Sequence, residues 1–174
     1  MANRFTDKIG SWFIRLFLKR GLFSMEKGSD GKGIFARANK SGISRFCYRY
    51  DGTIGGDNFT YRVEKKDGEV TFIYESMRYP QLGEARLPVD KTVLDRLYKA
   101  YRTFRVAAWN GYSKYNKLVC DGRGFSLEIK FCDGASLFTS GMNAFPPRYD
   151  EFLEAISAIL DPIRDKILAM NITE

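Results

Sequence analysis

Residues 59–76 read Phe-Thr-Tyr-Arg-Val-Glu-Lys-Lys-Asp-Gly-Glu-Val-Thr-Phe-Ile-Tyr-Glu-Ser. Asp67-Gly68 is a hairpin signal of the strongest short-range kind, because the favoured two-residue turn needs positive φ and these two residues tolerate it. The runs 59–65 and 70–76 flank that turn. A two-residue loop sets Val63 opposite Phe72 and Tyr61 opposite Tyr74, so one face of the pair is consistently apolar. That face must be buried, and an antiparallel sheet with one covered side follows.

The same logic extends in both directions. Phe46, Tyr48 and Tyr50 alternate with Arg45, Cys47 and Arg49, the period-two pattern of a half-buried strand. A turn over 51–58, Asp-Gly-Thr-Ile-Gly-Gly-Asp-Asn, links it to the first hairpin. A short strand is expected around Glu84–Leu87. Pro88-Val89-Asp90 then opens a helix with Asp90 as its N-cap. Leu94, Leu97, Tyr98, Tyr101 and Phe104 recur at helical spacing and should face the sheet. Residues 125–132 and 135–141 form a second hairpin around Asp133-Gly134. Pro146-Pro147 introduces the last helix, with Phe152, Ile156, Ile159 and Ile163 on its apolar side. Pro162 predicts a break or kink there, with a short second helix after it. The fold class is α+β: one antiparallel sheet built from hairpins, two main helices packed on one face, and an N-terminal amphipathic helix.

That N-terminal helix is the second feature of the chain. Over residues 1–22, Phe5, Ile9, Trp12, Phe13, Leu16 and Phe17 fall on one broad face, with Arg4, Lys8, Arg15 and Lys19 opposite. Aromatic residues on one side and Lys/Arg on the other form the pattern of an interfacial helix. The alternative is a helix that packs its apolar face on the domain or on a second copy. Charge is divided in the same way. Residues 1–50 hold 11 Lys/Arg and 3 Asp/Glu, whereas residues 51–174 hold 17 and 18. The basic character therefore belongs to an arm and the body is neutral, which suggests an anionic partner for the arm. The chain divides into this helix within 1–25, a Gly-rich linker over 26–42 carrying Gly28, Gly31, Gly33 and Gly42, and one α+β domain over 43–174.

Composition excludes several function classes. Among the 174 residues there is no histidine, which removes Ser-His-Asp and Cys-His hydrolases, HExxH zinc sites and histidine acid–base chemistry. Cys47, Cys120 and Cys132 give neither a disulfide framework nor a CxxC zinc signature, and fit packing in a reduced cytoplasmic interior. No apolar run approaches the ~20 residues of a spanning helix. Lys19 and Arg20 stand where a signal peptide would need small residues. No catalytic residue, metal site or cofactor is indicated.

Arg-Gly-Phe-Ser-Leu-Glu-Ile-Lys-Phe at 123–131 begins like the RNA-reading strand of an RNA-recognition module. It does not continue as one. Phe125, Leu127, Ile129 and Phe131 all share one face, and Glu128 on the other would repel phosphate. Nucleic acid is thus an unfavoured partner, left open only for the basic arm.

Five stretches carry a resemblance. They are Asp51-Gly-Thr-Ile-Gly-Gly56, Thr71–Met77, Ala107-Ala-Trp-Asn-Gly-Tyr-Ser-Lys-Tyr-Asn-Lys117, Cys120–Leu127 and Gly141–Tyr149. On them, from Phe46 to about Leu168, the chain resembles a family of uncharacterised proteins from anaerobic Gram-positive bacteria. Asn110 stands where the family pattern has Asp. The resemblance implies no activity.

Three stretches, 51–58, 109–117 and 141–149, are richer in glycine, aromatic and amide residues than a core requires. Turn chemistry is one explanation, since Gly supplies positive φ and Asn and Asp bond their own backbone. The other is a ligand groove with Trp109, Tyr115 and Tyr149 as walls and Asn116, Asp121, Asn143 and Arg148 as polar contacts. The favoured reading is a non-enzymatic binding or interaction module, cytoplasmic and peripheral on the inner membrane face. Its arm would contact anionic lipid through Phe5, Lys8, Ile9, Trp12, Phe13, Arg15, Leu16, Phe17 and Lys19. A small-ligand protein or enzyme using the 109–149 loops, a homo-oligomer, and nucleic-acid contact by the arm are the alternatives.

Overall fold

The computed structural model describes residues 42–52, 58–116, 118 and 122–171. The expected N-terminal helix, and the linker save Gly42, lie outside the described residues, as do all the membrane-contact candidates.

Seven strands form one sheet: β1 (Ile43–Asp51), β2 (Phe59–Lys66), β3 (Glu69–Ser76), β4 (Ala85–Pro88), β5 (Ser113–Tyr115), β6 (Gly124–Phe131) and β7 (Ser136–Met142). Their order is β4-β3-β2-β1-β6-β7-β5. The first hairpin turns at Asp67 and Gly68, both at positive φ, and pairs Val63 with Phe72 and Tyr61 with Tyr74. The second is looser than expected. Its strands end at Phe131 and resume at Ser136, and Asp133 Oδ1 accepts the Ala135 N–H at 3.0 Å inside a four-residue link. The expectation of hairpin pairing throughout also needs one correction. β5, a strand the sequence reading left in a loop, runs parallel to β7.

Two helices complete the domain: α1 (Thr92–Thr103) and α2 (Tyr149–Asn171). Asp90 Oδ1 accepts the Thr92 N–H at 2.8 Å, the capping role its position implied. The break expected at Pro162 does not occur, and α2 runs through it. Proline leaves the carbonyl four residues back without its partner and crowds it. Here tertiary ties hold the helix on both sides of that defect. Tyr61 on β2 donates to Asp161 Oδ1 at 2.7 Å, and Arg164 Nη1 donates to the Tyr61 hydroxyl at 2.8 Å.

Both helices cover the same face. Tyr48, Tyr61, Phe125, Leu127, Ile129 and Phe131 lie on one side of the sheet by register. Tyr101 of α1 meets Phe131 edge-on at 5.3 Å, and Tyr149 of α2 lies 4.5 Å from Phe125. Leu97, Phe152, Ile156 and Leu160 complete a continuous core with these strand residues.

The other face is mostly polar, although Phe138 and Met142 of β7, both half-buried, lie on it. Ile73 lies there, yet is only 1% exposed. Its ladder partners are Arg62 and Arg86. Arg62 pairs with Glu84 at 2.9 Å and with Glu75 at 3.7 Å, while Arg86 pairs with Glu84 and, at 3.9 Å, with Glu64. These bridges cross β3 from both flanks and roof the isoleucine.

Candidate functional site

The register brings one residue from each of the three unusual stretches, Asp51, Tyr115 and Met142, to one end of the sheet. Asp51 pairs with Gly124, Gly124 with Met142, and Met142 with Tyr115. At the same end Tyr50 pairs with Phe59, and the Met77 N–H donates to the Asn58 carbonyl at 2.9 Å. Segments separated by more than ninety residues in the chain thus share one rim.

Local chemistry explains most of the polar residues on that rim. Asp51, 8% exposed, accepts from Arg49 Nε at 2.9 Å. The Asn58 side chain closes the turn that begins at Gly52, accepting the Gly52 N–H through Oδ1 and donating to the Met77 sulfur at 3.3 Å. Asn116 donates its N–H to the Met142 carbonyl, while its Oδ1 accepts the Leu118 N–H at 3.1 Å. Asn143 has φ of 52° and donates its N–H to the Arg123 carbonyl at 2.9 Å. Its side chain fills the space beside Gly122, where an added Cβ would lie 1.5 Å from Oδ1. Arg123 stacks over the Phe145 ring at 5.0 Å and sits 3.5 Å from Asp150.

Of the expected groove residues, Tyr115, Asn116 and Asn143 meet on this rim. Trp109 and Tyr149 do not form walls, because both are core residues at 3% and 2% exposure. Trp109 packs edge-on against Phe152 at 5.2 Å. The Tyr149 hydroxyl shares a 2.7 Å hydrogen bond with that of Tyr48. Burial, with the opposed contributions of its neighbours, pushes Tyr149 up to about 12 and raises Tyr48 further still. Arg148 sits elsewhere. Its Nη1 donates to the Thr103 carbonyl at 3.0 Å and its guanidinium stacks on Phe104 at 4.9 Å, so it caps the end of α1. Asp121 lies outside the described residues.

Of the outward side chains on the rim, Tyr115 is one of the expected groove residues, whereas Leu118 and Met77 are new to the site. Leu118 is 93% exposed, Met77 68% and Tyr115 61%. A leucine within a basic, aromatic, acid-free run, Tyr-Ser-Lys-Tyr-Asn-Lys-Leu at 112–118, was the available signal. An open depression of about 420 Å³ on the outer side of α1 is lined by Asp95, Tyr98, Lys99, Arg102 and Thr103, and includes none of the rim residues. Among the described residues no cluster of three or more acid or cysteine side chains is placed to hold a metal ion, and no helix is long and apolar enough to cross a membrane.

No protein-family model matches the chain, and no curated protein matches it either.

Proposed function

We propose that this protein is a non-enzymatic binding module that works at an anionic membrane surface, held there by its N-terminal segment. The observation that carries this reading is the division of charge and apolarity in the sequence. Residues 1–50, which comprise the arm, the linker and most of β1, carry a net charge of +8, and the arm bears Phe5, Trp12, Phe13 and Phe17 at helical spacing, whereas the remaining 124 residues are nearly neutral. Basic residues near an anionic bilayer contribute about 1 kcal/mol each, and aromatic side chains favour the interface. The resemblance to an uncharacterised bacterial family belongs to this proposal and adds no activity to it. The rim supports a contact role because its amides and Asp51 serve the loops themselves, while its apolar side chains point outward.

The test is co-sedimentation of the full chain with vesicles of phosphatidylcholine alone or mixed with phosphatidylglycerol, at low and high salt. Binding is expected only to the anionic vesicles and only at low salt. Reversing Arg4, Lys8, Arg15 and Lys19 to Glu together should abolish it. Equal binding by that variant, or none by the native chain, overturns the reading.

A further inference from the structure

Among the described residues, the loop that follows β5 has the most exposed large apolar side chain of the domain. Leu118 projects almost wholly into solvent, held by a turn in which Asn116 Oδ1 accepts its N–H. Tyr115, three residues earlier, is also exposed. Lys114 lies with its Nζ 5.2 Å above the ring of Tyr112. The seven residues 112–118 contain two tyrosines, two lysines and a leucine, and no acid. β5 is the outermost strand of the sheet, so β7 holds the loop on one side only.

We propose that Lys114, Tyr115 and Leu118 form a second membrane contact, with Leu118 and Tyr115 inserting into the interface of an anionic bilayer while Lys114 meets the phosphate headgroups. This rests on the reading that the protein works at such a surface and names the face the domain turns toward it. Charge complementarity selects the occupant: cations without acids attract anionic headgroups. The aliphatic tip selects lipid over nucleic acid. A base would stack on Tyr115, whereas Leu118 offers a base no flat ring. Burying a leucine and part of a tyrosine in the interface adds apolar area to the electrostatic attraction. The Met77 tip lies at the same end of the sheet, five strand spacings away, roughly 24 Å along the rim. It is not required.

The experiment uses full-length chains carrying Tyr115→Asp with Leu118→Asp, Leu118→Trp, and Met170→Asp. Met170 is exposed on the last turn of α2 and serves as the control. Partition onto phosphatidylglycerol vesicles should fall at least about tenfold for the double variant. It should rise for Leu118→Trp and stay unchanged for Met170→Asp. Circular dichroism of each variant should match the native chain. Native partition by the double variant, together with loss on reversing the four arm charges, overturns this inference and leaves the arm reading standing. If the native chain binds no vesicle, both fall. Loss of binding to single-stranded RNA by the double variant, without change on vesicles, overturns it in favour of a nucleic-acid surface.

Discussion

Arg62 sits directly across from Ile73 in the β2–β3 register, and its guanidinium reaches over β3 to Glu84, 2.9 Å away. The isoleucine is thereby buried on the face opposite α1 and α2. Arginine stems cover apolar surface while their heads stay paired, so the lattice acts partly through packing. Ile73→Ala should cost about 2–4 kcal/mol, comparable to a core truncation. Arg62→Ala should cost less, about 1 kcal/mol, and its coupling to Glu84→Ala in a double-mutant cycle should shrink at high salt. Denaturant melts check both. A cost below about 0.5 kcal/mol for Ile73→Ala would mean that the roof is loose.

The Tyr48–Tyr149 pair makes a sharper prediction. Either hydroxyl alone would be buried without its partner, an arrangement worth about 1–3 kcal/mol of destabilisation. Tyr48→Phe and Tyr149→Phe should each destabilise by that amount. The double variant should lie well short of their sum, because it leaves no orphan hydroxyl. Additive melts would show that the bond contributes nothing.

Tyr101 should behave in the opposite way. Its hydroxyl is buried and has no hydrogen-bond partner among the described residues. Removing an unsatisfied polar group can be neutral or stabilising. Tyr101→Phe is therefore expected to leave the melting temperature unchanged or raise it, and a clear fall would reveal a partner.

Alkaline pH tests the same tyrosines together. Burial is the first cause of the raised pKa of Tyr48, Tyr61, Tyr101 and Tyr149; Tyr101 and Tyr149 reach about 12. Between 10, where the unfolded chain loses these protons, and the folded value, the native state holds more protons. Stability is therefore full below pH 10 and falls as pH rises through the folded values. Absorbance at tyrosinate wavelengths should show Tyr48, Tyr61, Tyr101 and Tyr149 ionising only as the chain unfolds.

Two glycines should respond unequally to a methyl group. At Gly141 an added Cβ would sit 2.0 Å from the Ala144 carbonyl oxygen and 2.8 Å from the Phe125 ring; at Gly122 it meets only the Asn143 side-chain amide. Backbone does not yield as an amide side chain does, so Gly141→Ala should cost about 1–3 kcal/mol and more than Gly122→Ala. The reverse order in thermal melts would show that Asn143 is the more rigid neighbour.

The hairpin at Asp67-Gly68 was legible because a two-residue turn fixes both register and face. β5 was not, because three exposed residues show no periodicity and depend on β7 for their hydrogen bonds. Trp109 and Tyr149 misled for a related reason. They lie in glycine- and proline-rich stretches, yet each anchors its loop to the core rather than lining a groove. The run through Pro162 depends on Tyr61, one hundred residues away, which no local pattern carries. Along β2 and β3 the alternation of Arg62 and Glu64 with apolar residues is visible, but their bridges exist only once β4 is placed beside β3.

Strand β1 sits at the middle of the sheet, and its two neighbours reach it by different routes. β2 follows after a short turn. β6 is distant, with Tyr50 opposite Phe125 and Arg45 opposite Lys130. Each of the two hairpins can zip locally, but joining them at β1–β6 must close a loop of roughly 75–85 residues before any contact rewards it. Topologies with pairings this remote fold slowly, on the millisecond to second scale. Until β6 arrives, β1 presents an unpaired edge of nine residues, the interval in which a newly made chain depends on finding its own distant half before another molecule's.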